Sequence, residues 1–292
     1  MSLPPTTTAA LTVDLKPRDE DLDLFGLTHQ GLVRSENQDH FLIGTLHRQL
    51  AVHGTSLPSP DQLPLRGERF ATFAVVADGV GGSAGGAAAS RLAVETIAHY
   101  VQSTLRCFSV ADPGHEPAFG DALRDAALEA HDAVRGLKSD AAELGPATTL
   151  TLAIGVWPRA YVVQVGDSRC YAFGNGALRR LTRDQTVAQN FVDSGTLSPE
   201  QAARSPYQNV LVSAIGGRTA APVVTPINLR RDAILLLCSD GLTKHVEDSE
   251  VATCLGNCAS AEQACQDLLR LALERGGHDN ITIVIGRVRR PS

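Results

Sequence analysis

An α+β fold in four layers (α/β/β/α), with two antiparallel sheets packed together and flanked by helices, is predicted by three features of this 292-residue sequence. Strand-type runs occur near both ends and again in the middle. Two long helix-type segments sit side by side between strand groups. The strict strand–helix alternation of a parallel sheet is missing.

The elements follow in order. Period-two and continuous apolar runs give strands over 22–28, 40–46, 70–77, 149–157, 161–165, 169–173, 233–238 and 281–288. Gly174-Asn175-Gly176 supplies residues that accept positive φ between two such runs, which is the chemistry of a tight antiparallel hairpin. Helical spacing covers 87–105, with Leu92, Thr96 and Tyr100 on one stripe, and 121–137. Shorter helices are expected over 186–194 and 198–204, and a longer one over 260–274, where Ser260 and Gln263 resemble a capping box. Residues 1–20 read as a disordered tail and 21–290 as a single domain. Within it, the Pro-rich polar stretch 47–68 reads as a surface insertion and 184–217 as a flap over a site.

Composition narrows the function. Apolar residues make up 43% of the chain, enough for a sizeable core, and 26 Lys plus Arg against 32 Asp plus Glu leave a net charge of −6. That balance gives no general attraction to nucleic acid or anionic membrane. The longest apolar run, Ala233 to Cys238, is far shorter than the roughly 20 residues of a membrane helix, and the N-terminus lacks the basic start and apolar centre of a secretory signal. A cytoplasmic protein is expected. The six cysteines form no compact disulfide pattern, and Cys254 and Cys258, though four apart, lack the partners of a zinc site.

The informative pattern is a set of aspartates where buried strands run out into turns: FAVVADG at Asp78, VVQVGDS at Asp167, LLLCSDG at Asp240 and GGHDNITIVI at Asp279. Any one Asp-Gly is ordinary turn chemistry. Four together, gathered on one edge, would set carboxylates against each other at low dielectric, where their repulsion either raises their pKa values or demands cations. With only oxygen donors supplied, the cations expected are Mg²⁺ or Mn²⁺. Two such ions about 4 Å apart can hold a hydroxide for in-line attack on phosphorus. Arg34, in GLVRSENQDH between the first two strands, is placed either to grip phosphate oxygens bidentately or simply to sit exposed in a loop.

Six ordered motifs extend this reading: G-L-V-R-S-E-N-Q-D at 31–39, A-D-G-V-G-G at 77–82, A-T-T-L-T at 147–151, V-G-D-S-R at 165–169, C-S-D-G-L at 238–242 and H-D-N-I-T at 278–282. On these the chain resembles a bacterial member of the metal-dependent protein phosphatases of type 2C, which remove phosphate from phosphoserine and phosphothreonine. The resemblance implies that Asp78 bridges two metal ions, that the Gly79 carbonyl ligates one of them, and that Asp240 and Asp279 complete the shell of the first. It assigns Asp39 to the second ion, directly or through water, and Asp167, with Asp240, to a third, weaker one. Arg34 becomes the phosphate-binding residue. Asn280 is a supporting turn residue, and Thr148 and Thr149 lie beneath the site. It further implies phosphoproteins as partners, among them a serine/threonine kinase and its targets, and a monomeric enzyme. Gln38 stands where many members carry Glu, Val80 where eukaryotic members carry His, and Gln185 and Ser205-Pro206-Tyr207 differ from the basic residues expected in the flap.

Two other readings compete. Gly79 to Ala84 formally fits a dinucleotide-binding glycine motif, but Asp78 directly before it would repel a pyrophosphate and no acidic residue follows about 20 positions on. A catalytically weak or inactive relative, binding a phosphoprotein as a scaffold, is opposed by the retention of Asp78, Asp240, Asp279 and Arg34.

Overall fold

The structure is a computed structural model that describes residues 16–49, 52, 66–80, 85–104, 116–138 and 145–289. Strands β1 (Leu22–His29), β2 (Asp39–Gln49) and β3 (Arg66–Val80) lead into helices α1 (Gly85–Ser103) and α2 (Glu116–Arg135). Next come β4 (Ala147–Thr148), β5 (Leu150–Val156), β6 (Arg159–Val165), β7 (Arg169–Gly174) and β8 (Ala177–Arg180), and then short helices α3 (Val187–Asp193) and α4 (Pro199–Ala202). Strands β9 (Val223–Asn228) and β10 (Ile234–Cys238), helices α5 (Asp240–Thr243), α6 (Asp248–Asn257) and α7 (Ala261–Glu274), and strand β11 (Ile281–Val288) complete the chain.

One sheet runs β1-β11-β10-β7-β8 and the other β2-β3-β5-β6-β9, with β4 paired to the end of β3. Every strand pair among the described residues is antiparallel. That pairing removes the parallel βαβ unit a dinucleotide fold requires. Alternation along each strand assigns side chains to layers. On β3, Phe73, Val75 and Ala77 face α1 and α2, whereas Val76 enters the thin layer between the sheets. On β11, Ile281, Ile283 and Ile285 pack under α7 while Val284 points to that same inter-sheet layer. Both faces of the central strands are thus covered, which is why they read as continuous apolar runs.

Several expectations need correction. The stripe of α1 that seals the core is Ala89, Ala93, Ile97 and Val101, not Leu92, Thr96 and Tyr100, which flank it half-buried. Small side chains on that face let the helix approach the sheet closely. Strand β9 escaped notice because Pro226 argues against a strand, but β9 is an edge strand, where proline is tolerated. Helix α4 is shorter than expected. Ser260 caps α7 by accepting the Gln263 N–H, while the Gln263 side chain reaches past the cap to the Ala259 N–H, so the box is only half formed. Cys254 and Cys258 pack at the edge of the α7 core.

Of the stretch read as a tail, residues 1–15 lie outside the described residues, but residues 16–20 are anchored. The nearly buried Arg69 of β3 donates to the Pro17 carbonyl at 2.6 Å and to the Asp19 carboxylate at 2.6 Å. Most of the 47–68 insertion also lies outside the described residues; its two ends belong to β2 and β3.

Candidate metal centre

Antiparallel register brings the acidic strand ends to one edge. Asp39 opens β2 and stands directly opposite Asp78 near the end of β3. Asp240 follows β10 at the start of α5, Asp279 lies two residues before β11, and Asp167 sits in the turn between β6 and β7. Asp78, Asp167, Asp240 and Asp279 line a single cleft, together with Arg34, Gln38, Gly79, Asn280, Lys244 and two residues of the 184–217 segment, Asn209 and Leu211. Asp39 lies beneath it, only 3% exposed.

Close backbone approach makes this gathering possible. A Cβ on Gly79 would stand 2.5 Å from the Gly86 carbonyl of α1, and one on Gly241 would stand 2.0 Å from the Asn280 carbonyl. Any side chain at either position would push apart the elements that carry Asp78, Asp240 and Asp279. The Asp78 backbone is gripped on both sides: its N–H donates to the Thr149 hydroxyl at 3.0 Å, and its carbonyl accepts from the Thr148 hydroxyl at 2.8 Å and the Thr149 N–H at 2.9 Å. Asn280 spends its side chain on the loop before β2, donating to the Gln30 and Glu36 carbonyls and accepting from the Gln38 N–H. It therefore fixes the loop that carries Arg34.

The electrostatics match the crowding. Burial, with repulsion from Asp39, Asp240, Asp167 and Asp279, pushes the Asp78 carboxyl well above the usual carboxylate range. Burial also drives Asp39 up to about 6, although the Ser239 and Thr282 hydroxyls each donate to its Oδ2 at 2.7 Å. Asp167 is pushed up to about 7 by burial and then by Asp240 and Asp184. Asp279 moves the other way: burial would raise it, but hydrogen bonds from Arg34 and Lys244 hold it below its ordinary value.

Two cations of the chain occupy part of the cluster. Arg34 grips Asp279 with a fork, Nε to Oδ1 at 2.7 Å and a terminal nitrogen to Oδ2 at 2.9 Å, so the residue expected at phosphate lies on a carboxylate. Lys244 places its Nζ 2.6 Å from Asp240 Oδ2 and 2.9 Å from Asp279 Oδ2. With those carboxylates turned aside, no three His, Cys, Asp or Glu among the described residues close around one point as a metal cage. The donor set nevertheless fits a hard cation. Asp39 Oδ1 and Asp240 Oδ1 are buried acceptors with no hydrogen-bond partner, and a buried unpaired carboxylate oxygen is costly unless a cation meets it.

Sequence reasoning passed over several residues of this site. Lys244 lies four residues after Asp240, a spacing that sets both on one helical face, so its signal was present. Gln185 accepts the Gly166 N–H at 2.8 Å and its own N–H donates to the Gly166 carbonyl, which holds the turn bearing Asp167. Asp184 takes a fork from Arg169, 3.1 and 2.8 Å, and a further contact from Arg180. Away from the cleft, His131 of α2 is buried and accepts the Gly216 N–H near the end of the 184–217 segment. None of these distant pairings has a local signature.

An acceptor-rich cleft at one edge of a two-sheet sandwich defines a cation-seeking centre of oxygen donors. Residues 53–276 match the family model for protein phosphatase 2C, and the chain belongs to that family. Asp78, Asp167 and Asp240 fall inside the matched stretch; Arg34, Asp39 and Asp279 fall outside it. The chain is 35% identical over 222 residues to the serine/threonine protein phosphatase PstP of Mycobacterium tuberculosis, covering 75% of this chain and 40% of that protein. It thus spans about two fifths of the length of that relative. Over 260 residues it is 28% identical to a serine/threonine phosphatase, stp, of Listeria welshimeri, covering 88% of this chain and 92% of the relative. The crystal structure of the PstP catalytic domain in complex with two manganese ions superposes with a TM-score of 0.70 at 28% identity, covering 92% of this chain and 99% of that one.

Proposed function

We propose that this protein is a protein-serine/threonine phosphatase, a metal-dependent hydrolase that removes phosphate from phosphoserine and phosphothreonine of other proteins. The observation that carries the reading is the convergence of Asp78, Asp167, Asp240 and Asp279 on one cleft, backed by unpartnered buried oxygens on Asp39 and Asp240. Protonation or cations relieve such a set, and hard divalent cations suit its oxygen donors.

Asp78, Asp240, Asp279 and the Gly79 carbonyl would hold a pair of Mn²⁺ or Mg²⁺ ions, with Asp39 supporting the second ion and Asp167 a third. When bound, these ions activate water for attack on phosphorus and offset charge on the phosphate. The chain does the positioning. Thr148 and Thr149 clamp the Asp78 backbone, and the Ser239 and Thr282 hydroxyls aim Asp39 by its Oδ2, leaving Oδ1 for a cation. Gln38, an amide where a carboxylate is common, adds no charge of its own. Arg34, at the cleft mouth with its side chain about half exposed, can release one arm of its fork to phosphate oxygens. The reading extends to phosphoproteins as substrates, among them a serine/threonine kinase and its targets, and to a monomer working in the cytoplasm. The family match and the two manganese ions in the PstP structure support the metal-dependent phosphatase reading, and among the described residues no helix is long and apolar enough to cross a membrane.

The test is turnover of p-nitrophenyl phosphate and of a phosphothreonine peptide with Mn²⁺. Both activities should vanish with chelator, and Asp240→Asn should reduce kcat on the order of 10²-fold or more, as for loss of one preorganised electrostatic group. Binding of a phosphopeptide without turnover would instead favour the scaffold reading.

A further inference from the structure

The Lys244 contacts are placed by local geometry and not by chance surface pairing. Lys244 caps α5, four residues after Asp240, and its ammonium reaches across to Asp279 on the segment leading into β11. Its side chain is 31% exposed and both carboxylates are 18% exposed, so solvent screens the contact only in part. The contact consumes ligand capacity. Asp240 Oδ2 faces the ammonium, Asp279 Oδ2 accepts from both Lys244 and Arg34, and Asp279 Oδ1 accepts from Arg34 and from the Asn280 N–H. Asp240 Oδ1 alone of these four oxygens has no partner.

We propose that Lys244 is a tethered counter-ion: it holds Asp240 and Asp279 together in the absence of a divalent cation, and it must leave both carboxylates before that cation can seat, so it sets the metal concentration the protein requires. The proposal rests on the metal-dependent reading above. Lys244 is a positioning residue, because it acts through the two aspartates and not on substrate. A tethered ammonium has the advantage of proximity, whereas a divalent ion has the higher charge, so the two compete for the same oxygens and the outcome follows cation concentration. Removing the ammonium frees the oxygens for metal, but leaves like charges facing each other when metal is absent.

The experiment is calorimetric titration of MnCl₂ into chelator-stripped wild-type protein, K244M, K244Q and K244R, with melting temperatures measured in EDTA and in Mn²⁺. The uncharged variants should bind Mn²⁺ about tenfold more tightly than wild type, the scale set by coupling between close charge pairs, and K244R should return toward wild type. In EDTA the uncharged variants should melt below wild type, and Mn²⁺ should raise their melting temperature by more. K244Q keeps a long polar side chain if K244M folds poorly. Unchanged or weaker Mn²⁺ binding by both uncharged variants overturns the proposal and leaves the metal reading intact. Failure of every form, wild type included, to bind Mn²⁺ overturns both.

Discussion

At the scale of single residues, Arg34 shows that a sequence can name a side chain without revealing what it touches when no phosphate is bound. Its guanidinium lies on Asp279 in a two-point fork, and phosphate recognition requires part of that fork to be given up. A guanidinium can do so because it carries five donors in a plane, whereas an ammonium offers a point charge without the fork. Arg34→Lys should therefore behave much like Arg34→Ala on a phosphothreonine peptide. Each should lower kcat/KM by about 10- to 100-fold, the range for losing a hydrogen bond to a charged group. Steady-state kinetics check this, and full activity of Arg34→Lys would show that charge alone suffices. The aspartates were legible because each marks the place where a buried strand ends in a turn, a signature confined to a few neighbouring residues. Ser239, Thr282 and Gln185, which orient Asp39 and the Asp167 turn, carry no such signature. Their partners lie many positions away in the chain, so only the fold reveals them.

At the scale of elements, strands read well and small or edge elements poorly, for physical reasons. The strand signal in β3, β5, β10 and β11 is a continuous apolar run, because each strand is buried on both faces and nearly every position is apolar. In α1 the first half of the core face is Ala89 and Ala93, which carry little hydrophobic signal beside larger neighbours such as Leu92. Helix α5, at four residues, is too short for any periodicity, although it sets both Asp240 and Lys244. The 184–217 segment is rooted at Asp184, which takes the Arg169 fork from β7, and tied at its far end by the paired Thr148 and Ile215 backbones. Asp184→Ala would leave the largely buried Arg169 without its partner. A loss of about 3 kcal/mol is expected from breaking a buried pair on one side. Thermal unfolding measures that loss, and limited proteolysis should show earlier cleavage between residues 184 and 217. An unchanged melting temperature and cleavage pattern would remove Asp184 as the root of this segment.

At the scale of the whole molecule, the site is a charge problem that the fold creates and a cation resolves. The sandwich brings Asp39, Asp78, Asp167 and Asp240 to one edge, and all four carboxyls sit above their ordinary range chiefly through burial. In the unfolded chain these groups ionise near pH 4. The folded protein therefore holds protons that the unfolded chain has released, and with more protons on the native side stability must fall as pH rises. The window opens at the unfolded value and reaches at least to the Asp39 and Asp167 values of about 6 and about 7. Asp279, held low by Arg34 and Lys244, acts in the opposite sense, but below that window. In EDTA the melting temperature should thus decline from pH 5 to pH 8. Mn²⁺ competes with protons for the same oxygens, so its stabilising shift should be small at pH 5 and grow as pH rises. Paired melting curves in EDTA and Mn²⁺ across that range check both slopes. A Mn²⁺ shift that stays constant with pH would mean that the ion binds somewhere other than these carboxylates.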